Sequence, residues 1–272
     1  MHPLSGILSQ FGPVVVTGGS SGIGKSFIEL MGTIRPELAF FNLSRRSPDI
    51  NCSKLNVRHL PCDLGQPAQI AAAAAQLEAL LQHDAPPGRL LLINNSGFGS
   101  YGPFPEPDLA HQLGMIDVNV RALVELTARL LPALRARGGV VVNIASTAAF
   151  QPTAWMATYG ATKAFVLHWS LALNEELRGS GVRVLAVCPG PTATNFFKAA
   201  GLGEAPLPGG MGETCEDVVL TSLRALAAGK SLVVSGARNR LLAALSSKLP
   251  KPLAARIAAK VIARYRTPPE KP

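Results

Sequence analysis

Tyr159 and Lys163 stand four residues apart in "YGATKAFVLHW" (159–169). On a helix that spacing stacks two side chains on one face. The chemistry open to such a pair is proton transfer. A free phenol, with a pKa of about 10, gives up its proton reluctantly near neutrality. An ammonium group ~4 Å from the phenolate, at an effective dielectric of ~20, attracts it by about 4 kcal/mol. That attraction would lower the tyrosine pKa by up to roughly three units, less after desolvation of the lysine. The spacing therefore predicts a tyrosine drawn towards working pH. Alone, the pair recurs by chance in many helices, and the rest of the chain has to give it meaning.

A second stretch with chemical content is "VTGGSSGIGKS" (16–26), where Gly18, Gly22 and Gly24 follow a G-x-x-x-G-x-G spacing. Glycine permits a tight turn and a close approach of backbone to a pyrophosphate. A helix opening at Gly22 offers free N–H groups and partial positive charge to that anion. Thr17, Gly18, Ser20, Ser21, Gly22, Ile23 and Gly24 are the candidate phosphate cradle. At the end of the next apolar run, "NLSRR" carries Arg45 and Arg46 and no acid before Asp49. A carboxylate there would accept hydrogen bonds from ribose hydroxyls, whereas a guanidinium suits a 2′-phosphate. The predicted cofactor is NADP(H) in preference to NAD(H).

The elements that must hold these groups are legible as alternating short apolar runs and longer helical stretches. Strands are expected at 12–19, 38–44, 57–64, 89–97, 138–146, 182–190 and 231–236. Between them lie helices at 22–31, 67–84, about 108–137, one carrying Tyr159 and Lys163, and about 215–228. The strands run almost continuously in Val, Leu and Ile, as strands buried on both faces do. The alternation predicts an α/β fold: a Rossmann-like, doubly wound parallel sheet of about seven strands with helices on both faces. The expected organisation is a single catalytic domain, 1–237, followed by a basic amphipathic extension, 238–272.

In this order and spacing the motifs resemble those of the short-chain dehydrogenase/reductase family, over about residues 12–236. The glycine pattern is Thr17–Gly24; an N-N-A-G motif appears as Asn94, Asn95, Ser96 and Gly97, with serine in the alanine position. Asn119 in "MIDVNV" matches the family's helix-four asparagine. Ser146 lies thirteen residues before Tyr159, as the family's catalytic serine does. "CPGPTAT" (188–194) matches its proline–glycine motif. The resemblance implies a catalytic set of Asn119, Ser146, Tyr159 and Lys163. Ser146 would orient the substrate oxygen, Lys163 would also grip the nicotinamide ribose, and Asn119 would hold a water linking Lys163 to solvent. It further implies that Asp63 meets the adenine and Asn95 the adenosine ribose, while Thr194, with Pro189, Gly190 and Thr192, holds the carboxamide. No metal is expected. Helices four and five would supply a homodimer or homotetramer contact.

Aromatic residues flank these positions. Phe98, Tyr101, Phe150, Trp155, Phe196 and Phe197 fall in segments after the expected strands, where ligands bind in such folds. No Arg or Lys cluster accompanies them, so the expected substrate is a small apolar carbonyl compound or alcohol. The glycine-rich stretch 196–212 reads as a lid.

The 272-residue chain is 47% hydrophobic and carries a net charge of +9, unevenly placed. Residues 238–272 hold nine Lys/Arg against Glu270 alone, leaving the body nearly neutral. In "KLPKPLAARIAAKVIARYR", Arg256, Lys260 and Arg264 recur every four residues, with Leu253, Ile257, Val261 and Tyr265 on another face. This is an amphipathic basic helix after a proline start. It could pack on its own body or another copy, or dock an anionic membrane or an acidic partner. No basic–aromatic platform for nucleic acid accompanies it. No apolar run spans a membrane, no signal-peptide pattern opens the chain, and Cys52, Cys62, Cys188 and Cys215 lack metal-ligand spacing. The expectation is a cytoplasmic protein, with attachment to a membrane surface left open by the tail. Taken together, the sequence predicts an NADPH-dependent oxidoreductase interconverting a carbonyl and an alcohol. The alternative is an NADPH-binding sensor or scaffold with little catalysis.

Overall fold

The computed structural model describes residues 3–50, 55–194, 196, 200 and 212–263. Seven parallel strands form one sheet in the order β3-β2-β1-β4-β5-β6-β7. They are β1 (Phe11–Thr17), β2 (Ala39–Ser44), β3 (Asn56–Pro61), β4 (Arg89–Asn94), β5 (Val140–Ile144), β6 (Arg183–Cys188) and β7 (Leu232–Val234). Every expected strand is present, each shorter than the apolar run that announced it. The chain order reverses between β1 and β4, which opens a crevice at the carboxyl ends of those strands.

Successive strand residues face opposite layers. Val14, Val16, Leu91 and Ile93 pack with Phe27, Ile28 and Met31 of α2 (Gly22–Ile34) and with Val218 and Leu223 of α7 (Cys215–Ala227). Val15, Leu90 and Leu92 pack instead with Leu77 and Leu81 of α3 (Pro67–His83) and Leu126 and Leu130 of α5 (Ala122–Arg137). Two apolar layers explain why these central strands show no alternation. The expectation of strands buried on both faces fails at the sheet edges. β3 alternates exposed and sheltered residues, and β7 is only half-buried, because each has a neighbour on one side only.

The helix expected over 108–137 is present but not uniform. α4 (Leu109–Ile116) begins on an Asp108 cap that accepts from the His111 N–H at 2.7 Å. It passes through a π-helical turn, Asp117–Arg121, before α5 resumes. Such turns insert one extra residue and re-aim side chains, and Asn119 sits in the middle of this one.

α6 (Ala157–Glu176) carries Tyr159 and Lys163. A short α1 (Ser5–Leu8) also lies ahead of β1, unforeseen in the sequence reading. The basic tail differs from expectation. Two helices follow β7, α8 (Ala237–Lys248) and α9 (Lys251–Ala263), and the first was not foreseen. On α9 the body is met by Ala254, while Leu253, Ile257 and Val261 remain exposed. Packing of the aliphatic face on the chain's own body is therefore not what the structure shows. Arg264 and Tyr265 lie outside the described residues.

Candidate active site

A cavity of about 770 Å³ opens at the carboxyl ends of the central strands. Gly18, Ser20, Ser21, Gly22 and Ile23 line it, with Arg45 and Arg46 beyond β2, Asp63 after β3 and Asn95 after β4. Ser146, Tyr159 and Lys163 line the same space, as do Pro189, Gly190, Thr192 and Thr194 after β6. Thr17, Gly24 and Asn119 do not line it.

The glycine loop is fixed from three sides. Gly18 N–H donates to Leu43 O at 2.9 Å, and Gly19 N–H to Asn42 Oδ1 at 2.9 Å. Thr17 Oγ1 accepts from the backbone N–H groups of Asn95 and Ser96, at 2.9 and 3.0 Å. Gly18 takes φ +70°, and a Cβ there would lie 2.7 Å from Ser96 Oγ, so the turn needs glycine. Ser21 at the start of α2 supplies no side-chain cap, leaving the first N–H groups of the helix for an external anion. Asn95 Nδ2 is directed to the carbonyls of Thr17 and Gly18, at 2.9 and 3.4 Å, so its amide clamps the loop to β4. Arg45 and Arg46 are exposed, and among the described residues neither forms an ion pair. This cradle fits a dinucleotide: a glycine turn, uncapped helix amides and two unpaired guanidinium groups border one cavity.

Tyr159 and Lys163 are both buried on α6. Ser146 caps a 3₁₀ turn (Thr147–Phe150), its Oγ accepting from the Ala148 N–H at 3.1 Å. Burial pushes the Tyr159 phenol up to about 12; a hydrogen bond with Ser146 pulls the other way, and the nearby Cys188 adds to the rise. Burial also lowers Lys163 to about 8, opposed by Cys188. The expectation that Lys163 would draw the tyrosine down is not met. Nζ donates to Ile144 O at 2.8 Å and lies 5.9 Å from the centre of the phenol ring. With the phenol itself buried, the lost hydration of its charged form governs.

Asn119 is a knot in the backbone. Its Nδ2 donates to Phe98 O at 2.9 Å and to Thr162 Oγ1 at 3.0 Å, while Oδ1 accepts from Phe98 N–H at 3.0 Å. Both amide donors are spent, so the water expected at Asn119 would not be held by them. Thr162 Oγ1 donates to Tyr159 O at 2.8 Å, which ties the π turn to the first turn of α6. Gly97 passes so close that a Cβ would sit 3.0 Å from Asn119 Oδ1 and 3.2 Å from Lys163 Nζ.

Of the expected substrate residues, Phe98 and Phe196 line the cavity, and the Phe196 ring lies 5.1 Å from that of Tyr159. Tyr101, Phe150 and Trp155 do not line it. The Tyr101 hydroxyl donates to Ile262 O on α9 at 3.3 Å. Phe150 packs against the apolar cluster of Val166 and Leu167 beneath the 3₁₀ turn. Trp155, at φ +66°, lines a smaller neighbouring hollow. Phe197 and most of the expected lid, 196–212, lie outside the described residues. The sequence reading missed Asn239 and Leu242 on α8 and Val261 and Ile262 on α9, all of which line the cavity. Their signal was the exposed-looking helix itself.

Residues 13–205 match the profile of the short chain dehydrogenase family. The chain belongs to that family. It is 40% identical to serine 3-dehydrogenase from Rhizobium radiobacter over 39% of this chain and 43% of that one. To the ketoacyl reductase HetN from Nostoc sp. it is 30% identical, over 65% and 62%. The chain thus spans less than two thirds of the first curated relatives it matches. Its fold is similar to that of a short-chain dehydrogenase from Sphingobium yanoikuyae in complex with NADPH. The TM-score is 0.71 at 28% identity, covering 96% of this chain and 98% of that one. Among the described residues no helix is long and apolar enough to cross a membrane.

Proposed function

We propose that this short-chain dehydrogenase is an NADPH-dependent oxidoreductase that interconverts a carbonyl group and an alcohol on an apolar substrate. One observation carries the reading. The glycine cradle, Arg45 and Arg46, and the Ser146–Tyr159–Lys163 group border a single cavity whose remaining wall includes Phe98, Phe196 and Leu242. A sensor would need the cradle but not a serine, a buried phenol and a buried amine on the wall of the same cavity.

The cradle and the amides of α2 would hold the pyrophosphate, and Arg45 and Arg46 would meet the 2′-phosphate. Asp63 and Asn95 would border the adenosine, and Thr192 and Thr194 the carboxamide. When bound, NADPH supplies the hydride. Ser146 orients the carbonyl oxygen, and Tyr159 donates the proton that completes the alcohol. Its burial favours the protonated phenol at neutral pH, the form an acid requires. Lys163, lowered to about 8, exchanges a proton near neutrality and restores the phenol. Asn119 acts as a positioning residue through Phe98 and Thr162. Oxidation of an alcohol runs the same steps backwards.

Self-association as a dimer or tetramer is supported by Leu109, Leu113 and Ile116 of α4 and Phe165 of α6, large apolar side chains left exposed. Sedimentation of a triple Leu109→Ser, Leu113→Ser, Phe165→Ser variant tests that contact.

The test of the activity is NADPH oxidation against a panel of apolar ketones, aldehydes and acyl thioesters, with Tyr159→Phe as the blank. Turnover that vanishes in the variant while NADPH still binds supports the reading. Equal turnover in the two overturns it.

A further inference from the structure

The two C-terminal helices carry a pattern that neither the fold nor the proposed chemistry uses. Leu241, Leu242 and Leu245 on α8, and Leu253, Ile257 and Val261 on α9, are all between 44 and 63% exposed. Their spacings gather each trio on one face of its helix. The fully buried side chains of the two helices are the small Ala243 and Ala254. A helix packed on a water-soluble domain ordinarily buries its large aliphatic side chains and shows the small or polar ones. Here the arrangement is inverted on two consecutive helices.

The inversion is not that of loosely attached helices. Ser246 Oγ donates to Gln151 Oε1 at 2.9 Å, Asn239 Nδ2 to Glu213 Oε2 at 3.1 Å, and the Tyr101 hydroxyl to Ile262 O at 3.3 Å. Both helices are tied to the body beside the active-site cavity, which Gln151, Asn239 and Ile262 line. Leu242 and Val261 are among the exposed aliphatics and also line that cavity. The two apolar stripes therefore border one opening.

Charge identifies what covers them. From Ala237 to Ala263 the chain carries Arg238, Arg240, Lys248, Lys251, Arg256 and Lys260 and no acid. All six are exposed, and among the described residues none forms an ion pair. A second copy pairing through this face would bring six cations against six, since an isologous contact meets itself. Short helices with protruding aliphatics beside unpaired bases suit a lipid surface: the side chains enter between headgroups and the bases meet lipid phosphates.

We infer that the α8–α9 face is a docking surface for an anionic lipid membrane, which turns the mouth of the active-site cavity towards the bilayer. On the proposed function, and resting on it, the substrate class is a carbonyl compound or alcohol dissolved in that bilayer. Docking itself does not depend on the reaction.

The test uses the full chain and vesicles of phosphatidylcholine with or without phosphatidylglycerol, read by flotation. Leu241→Glu/Leu245→Glu/Ile257→Glu removes three exposed aliphatics that do not line the cavity, and Arg240→Gln/Arg256→Gln removes two bases. The wild-type protein is expected to float with the anionic vesicles and to bind the neutral ones at least roughly tenfold less. The glutamate variant should lose flotation, and the glutamine variant should weaken about tenfold or more. Both should keep wild-type melting and wild-type turnover of a water-soluble ketone without vesicles. That control separates the two ideas, because a failure of the reductase reading would appear there and leave flotation untouched. Wild-type protein that stays out of both vesicle fractions, or a glutamate variant that floats as well as wild type, overturns docking. So does sedimentation showing a wild-type dimer that the glutamate variant splits, since a second copy would then cover the face.

Discussion

Lys163 Nζ donates to Ile144 O at 2.8 Å and stands 5.9 Å from the centre of the Tyr159 ring. The amine is anchored to the end of β5 instead of being pressed against the phenol. Burial therefore governs the tyrosine and carries it up to about 12. The chain has three tyrosines, so their phenolate absorbance can be titrated directly. Tyr159→Phe should remove a step near pH 12. Removal of a step at about 10 or below would show that the lysine dominates after all.

The same burial acts on Lys163 in the opposite sense, and its effect on stability has a definite sign. Its folded pKa, about 8, lies below the ordinary lysine value of 10.5. Below pH 8 folding must hold a charged amine where charge is disfavoured, and that cost is fully present. Between about 8 and 10.5 the unfolded chain binds more protons than the folded one, so stability rises with pH and the cost fades. Lys163→Met should then be more stable than wild type at neutral pH, by about 2 kcal/mol after loss of the Ile144 hydrogen bond. The advantage should shrink towards pH 10 in urea denaturation. A difference that stays flat with pH would mean the lysine is hydrated in solution.

How much of this was legible depends on what each signal reports. Val14–Val16 and Leu90–Ile93 announce central strands because both faces meet helices, and Gly18–Gly24 announces its loop because the turn demands glycine. Helical spacing paired Tyr159 with Lys163, and the resemblance to the family's motifs added Ser146 to the same site. Spacing says nothing of burial, so it set the pKa of Tyr159 in the wrong direction. It also could not tell that Lys163 would choose a backbone carbonyl. α8 escaped notice because Arg238, Asn239 and Arg240 open it and only Ala243 is buried. A helix that buries one alanine leaves no apolar period aimed at a core. Phe150 and Trp155 were misassigned because a loop's position does not say which way its aromatics face.

Gly97 tests how tightly the site is assembled. The Cβ of Gly97→Ala would press on Asn119 Oδ1, which three hydrogen bonds to Phe98 and Thr162 hold in place, and on Lys163 Nζ, which can move. The lysine should yield. The expected result is a fold destabilised by only about 1 kcal/mol with turnover reduced roughly a hundredfold. Melting curves and steady-state kinetics on one preparation measure both. Full turnover would show that the Lys163 position is not needed.

Asn119→Ala should behave differently, because it removes a structural knot. The Phe98 N–H and C=O lose their partners beside the π turn, at about 2–4 kcal/mol. Chemical denaturation measures this directly. A loss below about 0.5 kcal/mol would mean water replaces the amide without penalty, and the positioning role would fall.

Arg45 and Arg46 carry the cofactor preference. Both border the cavity exposed and, among the described residues, without an ion pair, so their guanidinium groups are not committed to holding the fold. A hydrogen bond between charged partners contributes about 1.5–3 kcal/mol, and a carboxylate in the same place would add repulsion. Arg45→Asp should therefore weaken NADPH binding by roughly tenfold to a hundredfold or more, while NADH, which lacks the 2′-phosphate, binds about as well or better. The loss should also shrink as salt rises, because the contact is exposed and screened. Cofactor fluorescence titrations at two ionic strengths read both effects. An equal loss for NADPH and NADH would remove the 2′-phosphate from these arginines and leave them as solvated charges on the loop after β2.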